Sequence, residues 1–96
     1  MALRSREHSQ TFTADGDKDF IDIRGPQEVI ITGGFGGGTL THLPLLNDLT
    51  EGAVERTITA GESYKSEMQT SRFTLTGATT PTLRVTIISI VQARTI

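Results

Sequence analysis

Apolar residues in this chain tend to recur at every second position, and turn-forming residues recur about every ten, a pattern that admits short strands and excludes long helices. In Asp19 to Arg24, Ile21 and Ile23 point one way while Phe20, Asp22 and Arg24 point the other. Arg72 to Thr76 sets Phe73 and Leu75 on a common face, and Leu83 to Val91 carries Leu83, Val85 and Ile87 inward with Ile88 and Ile90 opposite. Gly, Thr and Ile are abundant and many apolar residues are β-branched, which suits a pleated, half-buried surface. The expected fold class is all-β: a small antiparallel β-sandwich, jelly-roll-like or immunoglobulin-like, of about eight short strands closing one core.

The remaining strands follow from the same reading. Thr11 to Ala14 leaves through the turn Asp15-Gly16-Asp17, and Gly25-Pro26 stops Asp19 to Arg24. Glu28 to Gly33 carries Val29, Ile30 and Ile31 in succession, as expected of a strand covered on both faces. Gly33 to Gly38 interrupts before Thr39 to Leu43 resumes the alternation, so the two read as a hairpin with Phe35 at its tip. Leu45 to Gly52 is irregular, with Leu45, Leu46 and Leu49 placed to plug one end. Val54 to Thr59 and Glu62 to Gln69 read as a second hairpin, and Gly77 to Pro81 turns the chain into its last strand. Residues 1–10 have mixed charge and little apolar content, so they are expected to form a flexible N-terminal arm on a single domain over 11–96. Ile88 and Ile90 expect cover from a partner, because an exposed strand face with two β-branched residues invites aggregation.

Most chemistry is excluded by what is missing. With no cysteine, disulfides, thiolate nucleophiles and thiolate zinc sites all fall away. A net charge of −2 argues against a nucleic-acid binder, which needs a basic face. No apolar run approaches the ~18–20 residues that cross a bilayer, and no apolar stretch follows the N-terminal charges as a secretory signal requires. Thr39 stands where a dinucleotide fingerprint needs its third glycine or a P-loop its lysine, so the glycine run is not a phosphate cradle. Asp15, Asp17 and Asp19 open like a calcium loop, but Phe20 and Pro26 occupy the positions of the turn glycine and the bidentate glutamate; a solvated acidic turn with Lys18 as counter-charge is the simpler reading. His8 and His42 lie far apart with no partner at ligand spacing, and His42 is expected at the surface or its boundary. Glu62 and Glu67 fall on opposite strand faces and read as solubilising. No metal, cofactor or catalytic residue is assigned. With one Tyr and no Trp, material for sugar stacking is scarce; Phe12, Phe20, Phe35 and Phe73 read as core and Tyr64 as the plausible exposed ring.

Two segments carry a resemblance. Val29-Ile30-Ile31-Thr32-Gly33-Gly34-Phe35-Gly36-Gly37-Gly38-Thr39-Leu40-Thr41 and Ser71-Arg72-Phe73-Thr74-Leu75-Thr76-Gly77-Ala78-Thr79-Thr80-Pro81-Thr82-Leu83-Arg84-Val85-Thr86-Ile87 resemble the small β-sandwich virion proteins of tailed bacteriophages. In those, a strand ending in Gly-x-Phe-Gly-Gly leads to a Thr-rich strand, and an Arg-aromatic strand leads through Gly-Ala-Thr-x-Pro to a final strand. Many of them carry an aromatic, acidic and glycine-containing segment where this chain has Pro44-Leu45-Leu46-Asn47-Asp48. The resemblance implies a non-enzymatic virion structural protein, made in the host cytoplasm: a capsid decoration or cement subunit that binds the major capsid protein and forms a homo-oligomer such as a trimer. Candidate interface residues are Leu3, Arg4 and Arg6 on the arm, Phe35 at the loop tip, and Ile88 and Ile90 on the last strand. The alternatives are a head-fibre or tail-fibre module contacting the host, or a carbohydrate-binding or small hydrolytic β domain, which an exposed groove lined by Tyr64, His42 and acidic residues would favour. Neither nucleic acid nor membrane is an expected partner. The period-two alternation predicts a far-UV circular dichroism spectrum of strand and turn; a helix-dominated spectrum would overturn the fold class.

Overall fold

The chain switches sheets at almost every turn. Its computed structural model describes residues 2–23, 25–46 and 50–93, with side chains described over 6–23, 25–46 and 50–89. Eight strands appear: β1 (Ala2–Phe12), β2 (Gly16–Phe20), β3 (Gln27–Gly34), β4 (Thr39–Pro44), β5 (Arg56–Ile58), β6 (Glu62–Ser66), β7 (Ser71–Thr76) and β8 (Thr82–Ala93). They form two four-stranded antiparallel sheets in the orders β1-β8-β3-β6 and β2-β7-β4-β5. Consecutive strands therefore lie in opposite sheets, except β4 and β5, and this arrangement is a jelly roll. The expected β-sandwich is present, in its jelly-roll rather than its immunoglobulin form.

The inner faces are made by the alternation. Phe12, Val29, Ile31, Leu83, Val85 and Ile87 from the first sheet meet Phe20, Leu40, Ile58, Phe73 and Leu75 from the second, and all are buried. Phe20 meets Phe73 edge-on with centroids 5.6 Å apart, the favourable quadrupole geometry. The buried polar residues Gln27, His42, Ser71 and Ser89 keep the same inward parity. Gln27 pairs with Ser89 and His42 with Phe73, while Ser71 stands opposite Pro44, so all four lie at the end where β2–β3, β4–β5 and β6–β7 connect. The buried polar side chains gather at this end, beside the buried Phe20, Ile23, Leu43 and Leu45, while the opposite, apolar end buries none among the described residues.

Several local expectations change. The glycine run and the Gly77 to Pro81 turn are not hairpin loops: each carries the chain between sheets, as does the turn from β5 to β6. Phe35 is no exposed tip but a core residue, 8% exposed. Gly36 has φ 61°, and a Cβ there would overlap the Thr79 carbonyl, so glycine lets the two connections close on each other; Thr79 N–H donates to Gly36 O at 2.9 Å. Ile21 is exposed because it alternates with the buried Phe20, and the left-handed φ of 56° at Asp22 then breaks the alternation so that Ile23 is buried as well. Leu45 is buried as expected, Leu46 is exposed, and Leu49 and Arg24 lie outside the described residues.

The largest correction concerns the N-terminus. Residues 2–10, expected as an arm, belong to β1, which pairs with β8 from Ala2↔Ala93 to Phe12↔Leu83. Their polar composition suits an edge strand, whose charges discourage unwanted pairing. β8 accordingly lies inside its sheet, between β1 and β3, and Ile88 is half-buried on the outer face between Glu7 and Glu28. β3 pairs with β8 only as far as Gln27↔Ser89, so beyond that point β1 and β8 continue as a two-stranded ribbon. The molecule is accordingly long, 51 × 28 × 17 Å, with a radius of gyration of 14.0 Å, against the roughly 12.5 Å expected of a compact chain of this length.

At the apolar end Asp15 clasps two connections together, its carboxylate oxygens accepting from Gly77 N–H at 3.0 Å and Ala78 N–H at 2.9 Å. Asp15→Ala is expected to destabilise the fold by roughly 1–2 kcal/mol in urea unfolding, with Asp15→Asn recovering part of the loss through its remaining acceptor. Equal stability of Asp15→Ala and the parent would remove the clasp from the account.

Candidate functional site

The three-residue strand β5 is too short to cover its side of the sandwich. Where it faces β6 across the gap between the two sheet edges, a recess of about 670 Å³ opens, lined by residues that include Gln27, His42, Glu55, Arg56, Tyr64 and Glu67. It draws on two of the buried polar residues, Gln27 and His42, and on the sole Tyr of the chain.

His42 sits at its inner wall. Alternation with Leu40 turns it inward from β4, and it is fully buried rather than at the boundary as expected. Its ring stacks on Phe73, 3.9 Å between centroids and 9° from parallel. Its Nδ1 is 2.7 Å from the Tyr64 hydroxyl, and Tyr64 reaches it from β6 in the opposite sheet. We assign the phenol as donor, which leaves the imidazole proton on Nε2. Burial, then the positive charge of Arg56, pulls the His42 pKa down from 6.5 to about 4, so the ring is neutral at pH 7. Burial pushes the Tyr64 hydroxyl well above its ordinary value, which keeps it protonated and able to donate.

The outer wall is ionic. Arg56 donates through Nε and Nη2 to both oxygens of Glu62, at 2.9 and 3.0 Å, and its guanidinium lies 4.1 Å from the centre of the Tyr64 ring. The hydrogen bond to Arg56 holds the Glu62 carboxyl below its usual range. Glu55 is fixed beside them by its N–H, which donates to the His42 carbonyl at 3.0 Å. Gln27 Nε2 donates to the carbonyls of Ile23 at 3.0 Å and Met68 at 2.6 Å, tying two connections to β3. Gln27 Oε1 and His42 Nε2 are buried without a hydrogen-bond partner among the described residues.

Other candidate residues are spread over the molecule. Asp15, Asp17 and Asp19 do not converge: Asp15 caps Gly77 and Ala78, Asp17 accepts from the Thr74 hydroxyl at 2.8 Å, and Asp19 is held by Arg72 at 2.7 and 3.1 Å. Arg72, not Lys18, is the counter-charge of Asp19, and among the described residues no group of acids and histidines could hold a metal ion. Arg6 is exposed at the root of the ribbon, opposite Ser89. Leu3, Arg4 and Ile90 have their backbones in the ribbon, while their side chains lie outside the described ones. Sequence reasoning singled out Tyr64, His42 and acidic residues as a possible groove, but it missed Gln27, Glu55 and Arg56. Gln27 was detectable: it shares parity with Val29 and Ile31, so a polar side chain had to point inward.

Protonating His42 requires charging a buried ring beside Arg56. Because its folded pKa is depressed, the contribution to stability is fully present above pH 6.5, falls as pH drops toward 4, and is lost below that. The total is about 3 kcal/mol at most. Urea unfolding from pH 7.5 to 3.5 should show a steeper acid loss for the parent than for His42→Phe, with Glu62 and the other carboxylates common to both. Parallel curves would show that His42 does not titrate in this range.

No family model, curated protein or solved structure matches the chain.

Proposed function

We propose that this chain is a non-enzymatic structural protein of a tailed-bacteriophage virion, a decoration or cement subunit that binds the major capsid protein shell, stabilises it and associates with copies of itself. The observation that carries this reading is the ribbon, in which Ala2 to Ser5 pair with Ile90 to Ala93 beyond the last residue of β3. It extends about 14 Å past the four-stranded part of its sheet, at roughly 3.4 Å per residue. Two strands alone are marginal in water, so such a ribbon gains stability by lying against another surface. Among the described residues β1 pairs only with β8, and the edge this leaves can receive a strand from a neighbouring protein.

Two further observations support the reading. The jelly roll is an architecture of viral capsid domains, although fold alone is an analogy. The two segments that resemble phage virion proteins pack on each other through the Gly36–Thr79 hydrogen bond. The non-enzymatic part is supported by the use made of His42, a neutral ring held between Phe73 and Tyr64 as a packing residue.

The test is cosedimentation with shells assembled from the major capsid protein encoded alongside this chain. Removing residues 1–5 and 90–96 takes away the ribbon but leaves Arg6 to Phe12 covering β8. The shortened chain should keep its circular dichroism spectrum while its affinity for shells falls about tenfold or more, near 1.4 kcal/mol. Full occupancy by the shortened chain would move attachment away from the ribbon, and failure of the parent to bind shells at all would overturn the proposal.

A further inference from the structure

We infer that the end of the sandwich beside the ribbon is a self-association surface, on which the ribbon of a second copy of this chain lies across an apolar groove and receives the same contact in return. The inference stands apart from capsid binding, since it concerns two copies in solution. Three connections form this end, 21–26, 45–55 and 67–70. The exposed large apolar side chains among the described residues are Ile21, Leu46 and Val54, at 61%, 55% and 52%, and all three stand on these connections. Single apolar residues scattered over a surface need no explanation, but a gathering of them at one end marks a contact surface. Ile21 and Leu46 line one groove of about 380 Å³ together with Pro44, Leu45 and Met68.

Charge and position together say what covers the groove. The described residues of the three connections include Asp22, Glu51, Glu55 and Glu67 and no cation, while Arg24 and Asp48, outside the described residues, cancel in charge. Arg72 reaches Glu51 at 3.2 Å, but Asp19 engages it too, at 2.7 Å. The complement of this end is apolar and cationic, and the ribbon has that composition. Ala2 to Ser5 and Ile90 to Ala93 contain Leu3, Ile90, Val91 and Arg4 with no acid, and Arg6 is exposed at the root, on the strand face opposite Glu7. β1 faces β2 across the sandwich, where Gln10 Nε2 donates to Asp19 O at 2.6 Å, and Ile21 follows directly on β2. Ribbon and groove therefore lie at the same end and on the same side of the molecule. The chain's own ribbon leaves Ile21 and Leu46 exposed, so the ribbon that covers them belongs to another copy. Because each copy carries both parts at one end, the exchange is reciprocal about a two-fold axis and closes as a dimer. It gives the two-stranded ribbon the cover it lacks alone, and it uses the ribbon's face, leaving the edge of β1 open.

The experiment is sedimentation equilibrium of the full chain without shells, from about 1 µM to about 1 mM. The parent should pass reversibly from monomer to dimer, and added salt should weaken the dimer by screening its charges. Ile21→Lys with Leu46→Lys places cations where a cationic ribbon must dock; both positions are exposed, so urea unfolding should be unchanged while dimer affinity falls about tenfold or more. Arg4→Glu in the ribbon should weaken the dimer as well. Combining Arg4→Glu with the two lysines should bind more tightly than either change alone, a recovery that loss of structure would not produce. A parent that stays monomeric at about 1 mM, a trimer, or a dimer unaffected by both the lysines and Arg4→Glu would overturn the inference. A dimer that forms in this way but fails to bind shells would support it and overturn only the virion reading.

Discussion

Phe73 stands where two halves of the core meet, and its two ring contacts set the character of each. On one side Phe20 approaches edge-on from β2, and the core cluster of Leu, Val, Ile and Phe includes both rings. On the other the His42 ring lies flat against it, and from there the inward positions are Gln27, Ser71 and Ser89. An imidazole can occupy such a place only if it stays neutral and finds a partner for at least one nitrogen. The Tyr64 hydroxyl supplies that partner from the opposite sheet, so a buried hydrogen bond ties the two sheets together at the polar end, beneath the exposed Arg56–Glu62 pair that also joins them. The depressed His42 pKa and the raised Tyr64 pKa both follow first from burial, and the charge of Arg56 lowers the His42 pKa further.

The two ends of the sandwich are built for different purposes. At the apolar end the connections hold one another: Asp15 bonds to Gly77 and Ala78, Gly36 to Thr79, and Phe35 fills the space beneath. These contacts join residues far apart in sequence through short polar bonds and a glycine that permits close approach, and they leave little to move. At the other end the connections are longer, β5 leaves a gap, and the paired termini run on past the body. Surfaces available for binding are concentrated there, consistent with a rigid scaffold that presents variable loops and edges.

The jelly-roll connectivity also explains why so little of the fold is local. The first and last strands pair with each other, Ala2 with Ala93, and only β4 and β5 are neighbours both in sequence and in a sheet. Ordering such pairings requires closing long loops before their contacts form, which favours slow folding. A small chain with this topology depends strongly on complete burial of its inner faces, and the parity of each strand leaves little room for a register slip.

Sequence alone determined the strand class and much of the inner face. Val29 and Ile31, Phe73 and Leu75, and Leu83, Val85 and Ile87 are inward because a strand repeats every two residues, whatever lies opposite. The same parity turns Gln27 and His42 inward, although the expectation that polar side chains face solvent obscured both. Tertiary structure decided which sheet each strand joined. Glycine turns between alternating segments read equally as hairpins or as crossings between sheets, and only the packing of Gly36 on Thr79 and the pairing of β3 with β8 distinguish them. It also made residues 2–10 a strand, since a polar segment gains that conformation from the edge offered by β8 and not from its own composition. The recess lay beyond the reach of sequence for a related reason: His42, Arg56 and Tyr64 come from three strands in two sheets, and their proximity exists only once those sheets face each other.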